Sequence, residues 1–159
     1  MKLLIIEANQ PLAELTAALL ESADRDQRRF QQITVAGDLE TALCLLRGHD
    51  AVLCDDRFPL APGARFIVED WDVVQCEAAR RGIRFVLYTG SPRALAGAKA
   101  LGAAVLAKPA PVQEVYDALA RARPGPGRKP AAVSTAAPAP LRSFGSHGQC
   151  ISDRRLAAR

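Results

Sequence analysis

The sequence predicts an α/β domain in which five strands alternate with five helices. Two observations carry that expectation. Short apolar runs (Leu3-Leu4-Ile5-Ile6, Ala51-Val52-Leu53-Cys54, Phe85-Val86-Leu87-Tyr88 and Ala104-Val105-Leu106-Ala107) recur along the chain, with segments of helical period between them. The middle runs are apolar without alternation, as strands buried on both faces must be.

Lys2–Glu7 is the first strand. Pro11–Ala23 follows as a helix, with Leu12, Leu15, Ala18, Leu19 and Ala23 on one face and expected to point inward. Gln31–Ala36 is less apolar, which suits an edge strand. Asp38 can cap the next helix, whose Leu39, Leu43 and Leu46 turn inward. Ala51–Asp55 is the third strand. Arg57–Arg65 holds Pro59, Pro62 and Gly63 and reads as a loop. A helix from Ile67 to Arg81 is stopped by Gly82. Arg84–Thr89 is the fourth strand, and Pro92–Leu101 is a short Ala-rich helix ended by Gly102. Ala104–Ala107 is the fifth strand. Pro111–Arg123 is the last helix, with Pro111 in its first turn and Val112, Val115, Leu119 and Ala122 inward. Right-handed crossovers join such units into a doubly wound (βα)5 parallel sheet. The expected strand order is the flavodoxin-like 2-1-3-4-5.

A chain of 159 residues suits one domain with a proper core. No apolar run approaches the roughly 20 residues needed to span a bilayer. The apolar start is too short for a signal peptide, so a cytoplasmic protein without membrane insertion is expected. The four cysteines have no CxxC spacing, and Cys44 and Cys54 read as small core residues. With two histidines and no such spacing, nothing points to a zinc site.

Charge is uneven. From Pro124 onward, Arg128, Lys129, Arg142, Arg154, Arg155 and Arg159 face one acid, Asp153. Residues 124–159 are therefore basic and residues 1–123 nearly neutral. The segment 124–159 is rich in Pro, Ala, Gly, Ser and Arg and reads as a flexible tail. Its one aromatic, Phe144, serves base stacking poorly, so specific DNA binding is not expected of it.

Four of the apolar runs end in a polar residue: Glu7, Asp55, Thr89 and Lys108. In an open parallel sheet, ligands bind outside the carboxyl ends of the strands, so these four describe one site. Asp56 competes with Asp55, but strand alternation aims its side chain away from Asp55. No glycine follows the first strand in Ala8-Asn9-Gln10-Pro11, which argues against a flavin or dinucleotide. Asp55-Asp56-Arg57 lacks the Asp-x-Asp of haloacid-dehalogenase-type phosphatases.

The order of motifs is an acid after the first strand, Asp-x-x-x-Pro at Asp55–Pro59, Thr89-Gly90 after the fourth strand and Lys108-Pro109 after the fifth. This set resembles the CheY-like receiver domain of bacterial two-component response regulators, over residues 1–123. The resemblance implies that Asp55 accepts a phosphoryl group from a histidine kinase or phosphotransfer protein. It implies that Lys108 pairs with Asp55 and then with its phosphate, and that Thr89 offers its hydroxyl to a phosphoryl oxygen. Mg2+ would be held by Glu7, Asp55 and the backbone carbonyl of Arg57. A Lys-Pro peptide at this position is typically cis in the family. The role implied is signalling rather than enzymatic: no output domain fits in the tail, so a downstream protein would be reached by contact.

The chain also departs from the family. Ala8 stands where a second acid is usual, and it offers no oxygen to a metal. Asn9 could compensate weakly. Val105 stands where an aromatic switch residue is common, and Tyr88 points to the sheet's other packing surface. The stretch from Asp55 to Thr89 is long for the family. These departures leave a second reading open: a pseudo-receiver, an interaction module that works without phosphorylation.

Overall fold

The computed structural model describes residues 1–26 and 28–125, so the expected tail from residue 126 onward lies outside the described residues. The strands are β1 (Lys2–Ile6), β2 (Gln32–Ala36), β3 (Ala51–Cys54), β4 (Phe58–Pro59), β5 (Ile67–Val68), β6 (Arg84–Thr89) and β7 (Ala104–Ala107). The helices are α1 (Gln10–Ala23), α2 (Leu39–Leu45), α3 (Trp71–Arg81), α4 (Pro92–Ala100) and α5 (Val112–Arg121). A single 3-10 turn, Leu46–Gly48, follows α2.

Five strands form one parallel sheet in the order β2-β1-β3-β6-β7. With the hairpin β4–β5 set aside, this is the expected order 2-1-3-4-5. Period-2 alternation sorts each strand between two cores. Leu4, Ile6, Val52, Cys54, Phe85 and Leu87 pack with Trp71, Val74 and Ala78 of α3 and Ala94 and Ala98 of α4. Leu3, Ile5, Ala51, Leu53 and Val86 pack with Leu20 of α1 and with Val115, Tyr116 and Leu119 of α5.

The helix ends follow the sequence. Asp38 caps α2 through Thr41 N, and Ser91 caps α4 through Ala94 N; each such cap contributes about 1 kcal/mol. Gly82 ends α3 in the left-handed region, φ 71°, which only glycine enters without strain. Pro111 precedes α5 as its N-cap residue rather than lying in its first turn.

Several expected details are corrected. Leu12, Leu15 and Leu19 of α1 are exposed, and so is Ala18; Ala13 and Leu20 are buried, with Ala17 packed beside them. The helix carries two apolar stripes, and the narrower one, with small Ala13 and Ala17, lets α1 approach the sheet. Cys44 is exposed on the outer side of α2, because Leu39, Ala42 and Leu46 form its inward face. Leu43 and Val112 are only partly buried. Helix α3 begins at Trp71, not Ile67. Ile67–Val68 instead pairs antiparallel with Phe58–Pro59, within what read as a loop and the start of a helix. Phe58 is fully buried in the first core and Val68 packs against it, so apolar anchoring holds this small hairpin in place.

After α5, Pro124 bridges to Arg84, and Gly125 runs against α3. A Cβ at Gly125 would lie 2.3 Å from Ala79 Cα, so the chain passes there only as glycine.

Candidate functional site at the carboxyl edge of the sheet

Sheet pairing brings the strand tips together. Glu7 N donates to Ala36 O of β2 (3.1 Å), and Asp55 N donates to Ile6 O of β1 (2.9 Å), which fixes both residues at the carboxyl ends of neighbouring strands. Lys108 N donates to Thr89 O (2.9 Å), which does the same for β6 and β7. The Lys108-Pro109 peptide is cis, as the resemblance led us to expect.

The side chains then divide. The alternation of each strand, carried a residue or two past its end, puts Glu7, Asp55 and Lys108 on the α1/α5 side. It puts Asp56 and Thr89 on the α3/α4 side. On the first side, Lys108 Nζ pairs with Glu7 Oε2 at 2.6 Å and with Asp55 Oδ2 at 3.1 Å. Glu7 Oε1 accepts from Asn9 N (2.9 Å), and Asp55 Oδ1 accepts from Asp56 N (2.9 Å). Lys108 Nζ also lies 5.2 Å from the centroid of the Tyr88 ring, and the Tyr88 hydroxyl accepts from Ala110 N. Tyr88 thus packs on the surface expected of it and also reaches the lysine. A small cleft of about 10 Å³ is lined by Glu7, Asp55, Tyr88 and Lys108. A wider groove, about 690 Å³, lies away from these four residues, between α3, α5 and β7.

Two carboxylates share one ammonium, and the electrostatics follow from that count. Burial, with the nearby Glu7 charge, pushes the Asp55 carboxyl up to about 6, against the pull of Lys108. Burial works against the charge on Lys108, yet its hydrogen bond to Glu7 and the fields of Asp55 and Glu7 hold its pKa above the ordinary lysine value.

On the second side, the fully buried Thr89 hydroxyl donates to Asp56 Oδ1. It also accepts from Ser91 N at 3.0 Å. Asp56 is itself buried. The structure therefore brings Glu7, Asp55 and Lys108 into direct contact and gives Thr89 a different partner. The Thr89–Asp56 contact was missed in the sequence, although strand alternation from Cys54 and Leu87 puts residues 56 and 89 on the same face of the sheet. Arg57 is exposed in the loop that follows.

The donors that Glu7 and Asp55 offer a cation are hard carboxylate oxygens, to which the resemblance would add the carbonyl of Arg57. Their chemistry fits Mg2+, which needs few protein ligands and keeps several waters. Burial raises Asp55 first and the Glu7 charge adds to it; a dication beside the two carboxylates would favour their charged forms. The set is sparse, since Ala8 adds nothing. Among the described residues, no group of three or more His, Cys, Asp or Glu side chains is arranged to hold a metal ion.

No family model matches the sequence, and no curated protein is significantly similar to it. Solved structures are similar in fold. Chemotaxis protein CheY4 of Vibrio cholerae superposes with a TM-score of 0.58 at 19% identity, over 76% of this chain and 97% of that one. The receiver domain of sensor histidine kinase PA1611 of Pseudomonas aeruginosa PAO1 gives 0.56 at 22% identity, over 76% and 94%. That structure has a magnesium ion coordinated in its active-site cleft. A response-regulator candidate from Chloroflexus aurantiacus gives 0.54 at 26% identity, over 76% and 98%. The described domain has the CheY-like receiver fold. Among the described residues, no helix is long and apolar enough to cross a membrane.

Proposed function

We propose that the domain is a phosphoryl-accepting signalling receiver, with Asp55 as the acceptor. The observation that carries this reading is the Lys108 ammonium, held between Glu7 and Asp55 at the carboxyl edge of the sheet. In the step proposed, an Asp55 carboxylate oxygen attacks the phosphorus of a phosphohistidine on a histidine kinase or phosphotransfer protein. A P–O bond forms, the P–N bond breaks, and the imidazole leaves. The product is an acyl phosphate. Such transfer depends on positioning and charge neutralisation more than on covalent help from the protein. Lys108 meets both needs: it orients Asp55 and stays to pair with the phosphoryl oxygens. Glu7, Asp55 and the Arg57 carbonyl would hold Mg2+, which supplies further neutralisation of those oxygens. The signal would leave by contact with a downstream protein.

A second reading, a receiver fold used as a phosphorylation-independent binding module, is favoured by one specific observation. The Thr89 hydroxyl is engaged by Asp56 and not by the acceptor. One experiment separates the two: incubation with Mg2+ and acetyl phosphate or phosphoramidate, read by intact mass beside Asp55→Asn. A phosphoryl adduct absent from the variant is the expected result. Labelling that survives in Asp55→Asn overturns the assignment of the acceptor. No adduct with either small donor or with a phosphorylated histidine phosphotransfer domain gives the site to the second reading.

A further inference from the structure

We propose that Asp56 is a positioning residue that holds the Thr89 hydroxyl away from the acceptor, so that a phosphoryl group on Asp55 must compete with it. The inference rests on the receiver reading above and names the chain's own means of setting how readily that site switches.

A threonine hydroxyl has one proton to give. Here it goes to Asp56 Oδ1, while the oxygen accepts from Ser91 N. Ser91 in turn caps α4 through Ala94 N, at 3.2 Å. A continuous chain of hydrogen bonds therefore runs from Asp56 through Thr89 and Ser91 to the start of α4. For Thr89 to donate to a phosphoryl oxygen on Asp55, it must leave Asp56 and turn toward the α1/α5 side of the sheet. That leaves a carboxylate buried without its hydroxyl donor, which is costly. Both ends are held: Thr89 is fully buried, and Asp56 is tied to Asp55 through its own backbone N–H. Asp55 and Asp56 thus act in opposition although they are neighbours in sequence. One receives the phosphoryl group, and the other retains the proton donor that would greet it.

The test uses beryllofluoride with Mg2+, a mimic of the acyl phosphate, on the full chain. Fluorine NMR reads the adduct, and nitrogen-proton spectra read Thr89 and Ser91. Asp56→Ala removes the acceptor. Asp56→Asn removes the charge but keeps an acceptor oxygen, and it guards against a loss of folding in the alanine variant. The expected result is beryllofluoride binding at least about tenfold tighter in Asp56→Ala than in the parent, with Asp56→Asn close to the parent. Amide exchange at Ser91 should also quicken in unliganded Asp56→Ala. Equal affinity in all three proteins overturns the proposal while leaving the receiver reading intact. Equal tightening in both variants also overturns it, since charge and not the hydrogen bond would then be the cause. No adduct in any of the three overturns the receiver reading and this inference with it.

Discussion

Lys108 lies closer to Glu7 than to the carboxylate it is proposed to serve, 2.6 Å against 3.1 Å. Glu7 therefore competes for the one ammonium of the cluster and adds a repulsive charge beside Asp55. Glu7→Gln keeps the shape and removes the charge. Removing both effects lowers the pKa of Asp55, which should fall from about 6 toward the ordinary carboxylate range. Carbon-13 titration of the Asp55 carboxyl checks this; an unmoved midpoint would show that Glu7 contributes little.

The raised acceptor also implies a dependence of stability on pH. A carboxyl whose folded pKa lies above its unfolded value binds more protons folded than unfolded between the two values. Folding is then favoured at the acid end and weakens as pH rises, here between the ordinary aspartate value of 3.8 and about 6. Asp55→Asn has no such slope. In chelator-treated protein, the variant should gain on the parent across that window, by on the order of 1–2 kcal/mol at neutral pH. Urea denaturation of both proteins at a series of pH values reads the difference. A gap that does not change with pH contradicts it.

Ala8 is exposed beside Glu7 and brings no oxygen to the cluster. Ala8→Asp supplies the missing hard ligand. Mg2+ affinity, followed by the shifts of amides near Asp55, should rise about tenfold or more. An unchanged titration would mean that residue 8 does not face the cation.

A structural carboxylate elsewhere gives a prediction on folding alone. Asp24 is buried and accepts from Phe30 N (2.7 Å), Arg29 N (2.8 Å) and the Tyr116 hydroxyl (2.9 Å). Burial opposes its ionisation, yet the Phe30 and Arg29 amides and the Tyr116 hydroxyl outweigh it and hold its pKa below the usual value. Its contribution is therefore present at neutral pH and lost as pH falls through the folded value. Asp24→Ala should cost roughly 2–4 kcal/mol, since it leaves two amide donors unsatisfied, and Tyr116→Phe about 1 kcal/mol. Denaturation midpoints at pH 7 test the ranking; a larger loss in Tyr116→Phe would reverse it.

The five-stranded sheet was legible because continuous apolar runs admit few other readings, and the strand tips then named Glu7, Asp55, Thr89 and Lys108 together. Helix α1 was not legible in the same way. Leu12, Leu15 and Leu19 outweigh Ala13, Ala17 and Leu20 in hydrophobicity, but the smaller set allows the closer approach to the sheet. The β4–β5 hairpin was hidden because each strand is two residues long and Pro59 reads as a loop signal. Within the site, the pairing of Lys108 with Asp55 followed from resemblance. The Thr89–Asp56 bond required strand parity to be followed past the strand ends, where alternation holds only if the backbone stays extended.

The bond between Lys108 and Glu7 joins residues 101 positions apart. Ribosomes deliver Glu7 and Asp55 well before Lys108, and long-range contacts of this kind form late because their loops must close first. A nascent or truncated chain that ends before Lys108 thus carries Asp55 without the ammonium that pairs with it. On the receiver reading proposed above, competence to receive a phosphoryl group would arrive only with the fifth βα unit, and an incompletely made molecule would not draw phosphate from a donor.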